Sequence, residues 1–75
     1  MAIFLLENAW PIETGTLPSG DMTVWHPINA KVRALVEGAC RERGNWNPKY
    51  NNWIVEAQFA DQVLSEIATH TKKIA

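Results

Sequence analysis

The 75-residue chain has a single cysteine, only four glycines, no long apolar run and almost no net charge. One cysteine, Cys40, excludes an intramolecular disulfide and any cysteine-rich zinc site, and it points to a reducing compartment. No stretch approaches the roughly 18 apolar residues that a bilayer span needs, so no membrane role is expected. The start, Met1–Ala2–Ile3–Phe4–Leu5–Leu6–Glu7, has too short an apolar run and no preceding basic residue for a secretory signal, so the expectation is a cytoplasmic protein. There is no glycine-rich phosphate loop, no Asn-x-Ser/Thr acceptor, and no repeated or low-complexity segment. Seven Lys and Arg against eight Asp and Glu leave a formal charge of −1, which offers no global attraction to a polyanion.

What is present is material for a packed core. Apolar residues make up 47% of the chain, a profile that separates it from disordered tails and predicts one small domain over residues 1–75. A domain of this size buries only about 60% of its unfolded-chain surface, which leaves little room for a deep catalytic pocket.

The first third reads as a hairpin. One arm runs from Ile3 to Ile12, the turn chemistry of Thr16–Leu17–Pro18–Ser19–Gly20–Asp21 follows, and Met22–Thr23–Val24–Trp25–His26 alternates at period two. Pro11 cannot donate to a ladder, so it belongs at an edge or a bulge. Pro27 ends the second arm and Asn29 is a suitable N-cap. Val32, Leu35, Val36, Ala39 and Cys40 then share one helical face, with Arg33, Glu37 and Arg41 along another, predicting a helix from Asn29 to Arg43. Gly44 is expected to supply its left-handed stop. Residues Gly44 to Val55 read as a second hairpin turning on Asn47–Pro48 and closed by Asn51–Asn52. From about Ala57 the helical period returns, with Phe59, Ala60, Val63, Leu64, Ile67 and Ala68 on one side. Lys72 and Lys73 are expected in a fraying tail. The predicted fold is α+β: a two-layer sandwich, an antiparallel four-stranded sheet with two helices on one face, in the order ββαββα.

Candidate chemistry is sparse. Cys40, His26 and His70 lie in different elements without ligand spacing, so no metal and no cofactor is expected. Cys40 falls on the apolar stripe and reads as a buried thiol. Ser19 and Ser65 have no base within reach and the carboxylates are scattered, so no catalytic residue is nominated and no enzyme is expected.

Aromatics and local charge are more informative. Trp10, Trp25, Trp46 and Trp53 are four indoles in a small domain, and side chains this large are rarely buried completely. Trp53 reads as core, whereas Trp46 and Tyr50 read equally as core or as contact surface. Residues 1–30 carry Glu7, Glu13 and Asp21 and no base. Residues 31–50 carry Lys31, Arg33, Arg41, Arg43 and Lys49 against Glu37 and Glu42, and residues 51–75 carry Glu56, Asp61 and Glu66 against Lys72 and Lys73. The segment charges are therefore −3, +3 and −1. Cations beside Trp46 and Tyr50 match the phosphate contacts and stacking surfaces of nucleic-acid binders. An ordinary solvated helix face, on which Glu37 pairs with Arg33 and Arg41, accounts for the same cations more simply.

Trp46–Asn47–Pro48, four further residues and then Trp53–Ile54–Val55 resemble the aromatic, Asp/Asn, Pro, turn, Trp, strand signature of HARP-type domains. The resemblance covers roughly residues 22–70. It takes in Val24–Trp25–His26–Pro27, the helix from Asn29 to Arg43, Gly44, the hairpin, and the helix around Ala60–Ile67. Family hairpins often carry Arg or Lys before the first aromatic and along the turn, where this chain has Asn45, Tyr50, Asn51 and Asn52. The resemblance implies a non-enzymatic accessory module for single-stranded or forked DNA, or RNA. Arg41, Arg43 and Lys49 would contact phosphates, Trp46 and Tyr50 would offer stacking surface, and Asn47 and Pro48 would fix the turn. The rival expectation is a protein partner or a homodimer through the acidic first hairpin, with Trp10 or Trp25 partly exposed.

Overall fold

A computed structural model describes all 75 residues. The chain is α+β, with an antiparallel sheet and two helices as expected, but the sheet has six strands where four were predicted. The strands are β1 (Ala2–Leu6), β2 (Trp10–Thr16), β3 (Met22–Trp25), β4 (Gly44–Asn47), β5 (Asn52–Val55) and β6 (Lys72–Lys73). The helices are α1 (Ala30–Cys40) and α2 (Ala60–His70), the latter entered through a 3₁₀ turn at Ala57–Phe59. The sheet order is β4-β5-β3-β2-β1-β6 and the chain order βββαββαβ.

Two strands escaped the sequence reading for different reasons. The expected arm from Ile3 to Ile12 breaks at Glu7 and Asn8, which both take left-handed backbone (φ 53° and 57°), while the Ala9 N–H donates to the Leu6 carbonyl at 3.0 Å. Two successive positive φ angles make the turn that suits the twist of a hairpin, but Asn-Gly or Gly-Gly is its usual signal and Glu is not. The tail does not fray. Lys72 and Lys73 pair with Leu5 and Phe4, and Ile3 exchanges backbone hydrogen bonds with Ile74 and Ala75. Pro11 lies where β2 extends past the end of β3 and so has a strand on one side only, in keeping with its missing donor.

The helices follow local rules closely. Asn29 caps α1, its Oδ1 accepting from Lys31 N at 3.0 Å and Val32 N at 3.1 Å. The helix ends at Cys40, three residues before the expected Arg43, in a turn where Arg41 has φ −55° and ψ 133° and Glu42 has φ 64°. The Arg43 N–H closes that turn on the Cys40 carbonyl at 2.9 Å, the geometry of a type II turn. Glu42, not Gly44, therefore takes the left-handed position. Entry into the 3₁₀ turn has no local side-chain cap; instead Asp21 Oδ1, 36 residues earlier, accepts from Ala57 N at 3.1 Å.

Cross-strand register sorts the side chains between two faces. Phe4, Ile12, Thr14, Met22, Val24 and Val55 are buried on one face beneath Val32, Val36, Ala39 and Cys40 of α1 and Val63 and Ile67 of α2. Each fully buried Val or Ile contributes about 1.5–3 kcal/mol, so this one interface is the main source of stability. No element covers the opposite face. One row across it, in paired register, is Asn47, Asn52, Trp25, Glu13 and Ile3; the next is Asn45, Ile54, Thr23 and Gly15.

Gly44 is required for space. A Cβ there would lie 2.3 Å from the Ile54 carbonyl oxygen and 2.8 Å from Val55 Cα, whereas one at Gly38 would meet nothing within 4 Å. Gly44→Ala should therefore cost more than about 2 kcal/mol by forcing β4 off β5. Gly38→Ala, within an exposed helix position, should stabilise by about 0.5–1 kcal/mol. Urea unfolding of the two variants should show midpoints displaced in opposite directions.

Candidate nucleic-acid interface

The six candidate contact residues lie along one end of the molecule, from the end of α1 through β4 to the β4–β5 turn, and they fall into two groups. Arg41 and Arg43 border an open concavity of about 540 Å³ that also includes Glu42 and Gln62. Asn47, Lys49 and Tyr50 belong to the turn, and Trp46 lies on β4 between the groups. A four-residue strand spans about 13 Å, so the two groups are joined but are not one cluster.

The turn holds its shape through Asn47, whose Oδ1 accepts from Lys49 N at 3.0 Å, and through Asn51, which takes left-handed backbone at φ 53°. Both features agree with the turn chemistry read from the sequence. Lys49 Nζ stands 5.3 Å from the centre of the Tyr50 ring, in cation–π range, and Tyr50 is 64% exposed.

Trp46 is 43% exposed and is held by two other rings. Its centroid lies 6.1 Å from that of His26 and 6.0 Å from that of Trp53, the latter in an edge-on arrangement. His26 Nδ1 donates to the Pro27 carbonyl at 2.9 Å, which fixes the imidazole plane behind the indole. Trp53 is half-buried against the core, as expected, and its Nε1 is enclosed without an acceptor. Part of the Trp46 ring thus remains open to solvent while its neighbours set its orientation.

The cations are less free than the segment charge implies. Arg33 Nε donates to Glu37 at 2.7 Å, Lys31 pairs with Glu7 at 3.2 Å, and Arg43 lies 2.5 Å from Glu66 while donating also to the Ala39 carbonyl at 3.1 Å. The hydrogen bond from Arg33 holds the Glu37 carboxyl below its usual range, with the charges of Arg33, Arg41 and His26 acting in the same direction. Arg43 is therefore engaged in tying the end of α1 to α2. Arg41 and Lys49, like Lys72 and Lys73 on the far edge of the sheet, form no ion pair. Sequence spacing had no means of matching Arg43 with Glu66, 23 residues away, or of bringing His26 to Trp46.

No group of three or more His, Cys, Asp or Glu side chains converges as metal ligands would, and no helix is long and apolar enough to cross a membrane. Cys40 is fully buried, and burial pushes its thiol up from 9.0 to about 12. Folding then holds a proton that the unfolded chain releases above about pH 9, so stability contributed at this site is complete below that pH and declines towards pH 12. The stability advantage of the wild type over Cys40→Ala should be constant below about pH 8 and should shrink steadily from about pH 9 upward, as read by urea unfolding.

No protein-family model matches the sequence, and neither a curated protein nor a solved structure matches it.

Proposed function

We propose that the chain is a non-enzymatic nucleic-acid-binding module that takes single-stranded or branched DNA along the end of the molecule formed by α1, β4 and the β4–β5 turn. The observation that carries this reading is Trp46, half exposed yet held between His26 and Trp53, with the unpaired cations Arg41 and Lys49 beyond either end of its strand. Stacking on an indole is indifferent to base identity, and cations beyond either end of a four-residue strand suit separate phosphates of a nucleic-acid strand that passes over it. Tyr50 adds a second ring at the exposed tip. Arg43, occupied by Glu66, serves chiefly to place β4. The resemblance to HARP-type domains over residues 22–70 supports the same reading. RNA would be taken by the same surface. A protein partner or second copy on the first hairpin is the competing reading, favoured by Ile3, Leu5 and Pro11, which are only partly covered.

Fluorescence anisotropy with labelled single-stranded and forked oligonucleotides tests the proposal. Two phosphate contacts predict an association constant that falls by about 1.4 log units per tenfold rise in salt. Trp46→Ala should weaken binding by about 1–3 kcal/mol, the range for one stacked base. Absence of salt-sensitive binding at about 100 μM protein in low salt would overturn the reading, since stacking plus two charge contacts should exceed that affinity.

A further inference from the structure

The uncovered face of the sheet carries a second indole in surroundings of a different kind. Trp25 stands on β3, near the middle of the sheet, and is 36% exposed. Its direct cross-strand neighbours are Asn52 on one side and Glu13 on the other, and Asn47 lies one strand beyond Asn52. Adjacent strands are about 4.8 Å apart, so Asn52 and Glu13 flank the indole on opposite sides, about 9.6 Å from each other. Gly15 and Thr23 occupy the next row, a low step beside the indole.

The hydrogen-bonding capacity of this row is incompletely used. Asn52 Oδ1 is enclosed and accepts no hydrogen bond, and Asn47 uses its Oδ1 within the turn while its Nδ2 makes no hydrogen bond. Glu13 is an acceptor whose charge disfavours phosphate at the centre of the face but suits the amino group of a base. A flat ring lying on Trp25 would meet the Glu13 carboxylate on one side. Lys49, two residues past Asn47, is the cation nearest in sequence to this row.

Resting on the reading of the chain as a nucleic-acid module, we propose that the open sheet face is a base platform. An unpaired, amino-bearing base stacks on Trp25 and is met at its edge by Glu13. A second copy of the chain is the less suited occupant, because sheet-on-sheet packing would desolvate Glu13 and the Asn45, Asn47 and Asn52 amides without supplying partners. The platform requires bases that are not in a duplex, and it prefers cytosine or adenine to thymine, which has no exocyclic amino group.

The experiment compares wild type, Trp25→Ala, Trp25→Phe, Glu13→Gln and Trp46→Ala in anisotropy titrations with labelled oligo(dC), oligo(dA) and oligo(dT) of equal length. Thermal melts confirm folding, and light scattering gives the mass of each protein. The expected result is that Trp25→Ala weakens oligo(dC) binding by about tenfold, that Trp25→Phe restores most of it, and that Glu13→Gln narrows the preference over oligo(dT). Loss of binding in Trp46→Ala with none in Trp25→Ala would overturn the platform and leave the proposed module standing. A wild-type dimer that Trp25→Ala converts to a monomer, with oligonucleotide binding unchanged, would assign the face to a second copy and overturn the platform. No binding of any oligonucleotide by the wild type would remove both proposals together.

Discussion

Everything in this small protein depends on one apolar interface, the seam between one face of the sheet and the two helices laid across it. Ile12, Val24 and Val55 from the sheet, Val32 and Val36 from α1, and Val63 and Ile67 from α2 have no exposed surface at all. A chain of 75 residues cannot build two such interfaces. Both helices therefore lie on the same side, and the other face of six strands is left to solvent. The edge strands are blunted in different ways: β6 is two residues long and carries two lysines, and β4 is four residues long with asparagine at alternate positions. Short, polar edges resist unwanted pairing with other chains. The open face and the end built from α1, β4 and the turn are two of the surfaces that this arrangement leaves exposed.

The parts of this arrangement that could be read from the sequence are those governed by neighbours in the chain. Asn29 as an N-cap, the apolar stripe of α1 and the Asn47–Pro48 turn are all local, and all three are present. Readings failed where a residue did something its type seldom does. Glu7 and Glu42 both adopt left-handed backbone, so two turns carried no glycine to mark them, and Gly44 was assigned a conformational role when its real role is steric. Long-range pairings were equally hidden. Asp21 capping Ala57, Glu66 holding Arg43 and Lys72–Lys73 extending the sheet each join segments that nothing in their local pattern connects.

The same division applies to the candidate interface. Trp46, Asn47, Lys49 and Tyr50 share a hairpin, so their proximity was legible from spacing alone. Their accessibility was not, because it depends on tertiary neighbours: His26 and Trp53 hold Trp46 in place, and Asn47 has one of its polar atoms committed to the turn. Trp25 is exposed, in keeping with the sequence reading. Period-two alternation correctly put it on the opposite face from Val24, but only the placing of both helices on the Val24 side left it exposed.

For the proposed nucleic-acid module, charge bears most directly on the kind of strand the surface would suit. Of the five cations in the middle segment, Lys31, Arg33 and Arg43 are paired with carboxylates, which leaves Arg41 and Lys49. Duplex binders draw much of their affinity from many phosphate contacts, and two contacts yield little at physiological salt. Stacking has to supply the difference, and a base inside a duplex offers no open face to an indole. Under the proposed reading, few free cations and two partly exposed indoles favour strands whose bases are already unpaired. The acidic first hairpin would sharpen that bias, since a carboxylate at Glu13, opposite Trp25, opposes a phosphate backbone more than a base edge. The near-zero net charge is then consistent with recognition that depends on rings and amides more than on a basic patch.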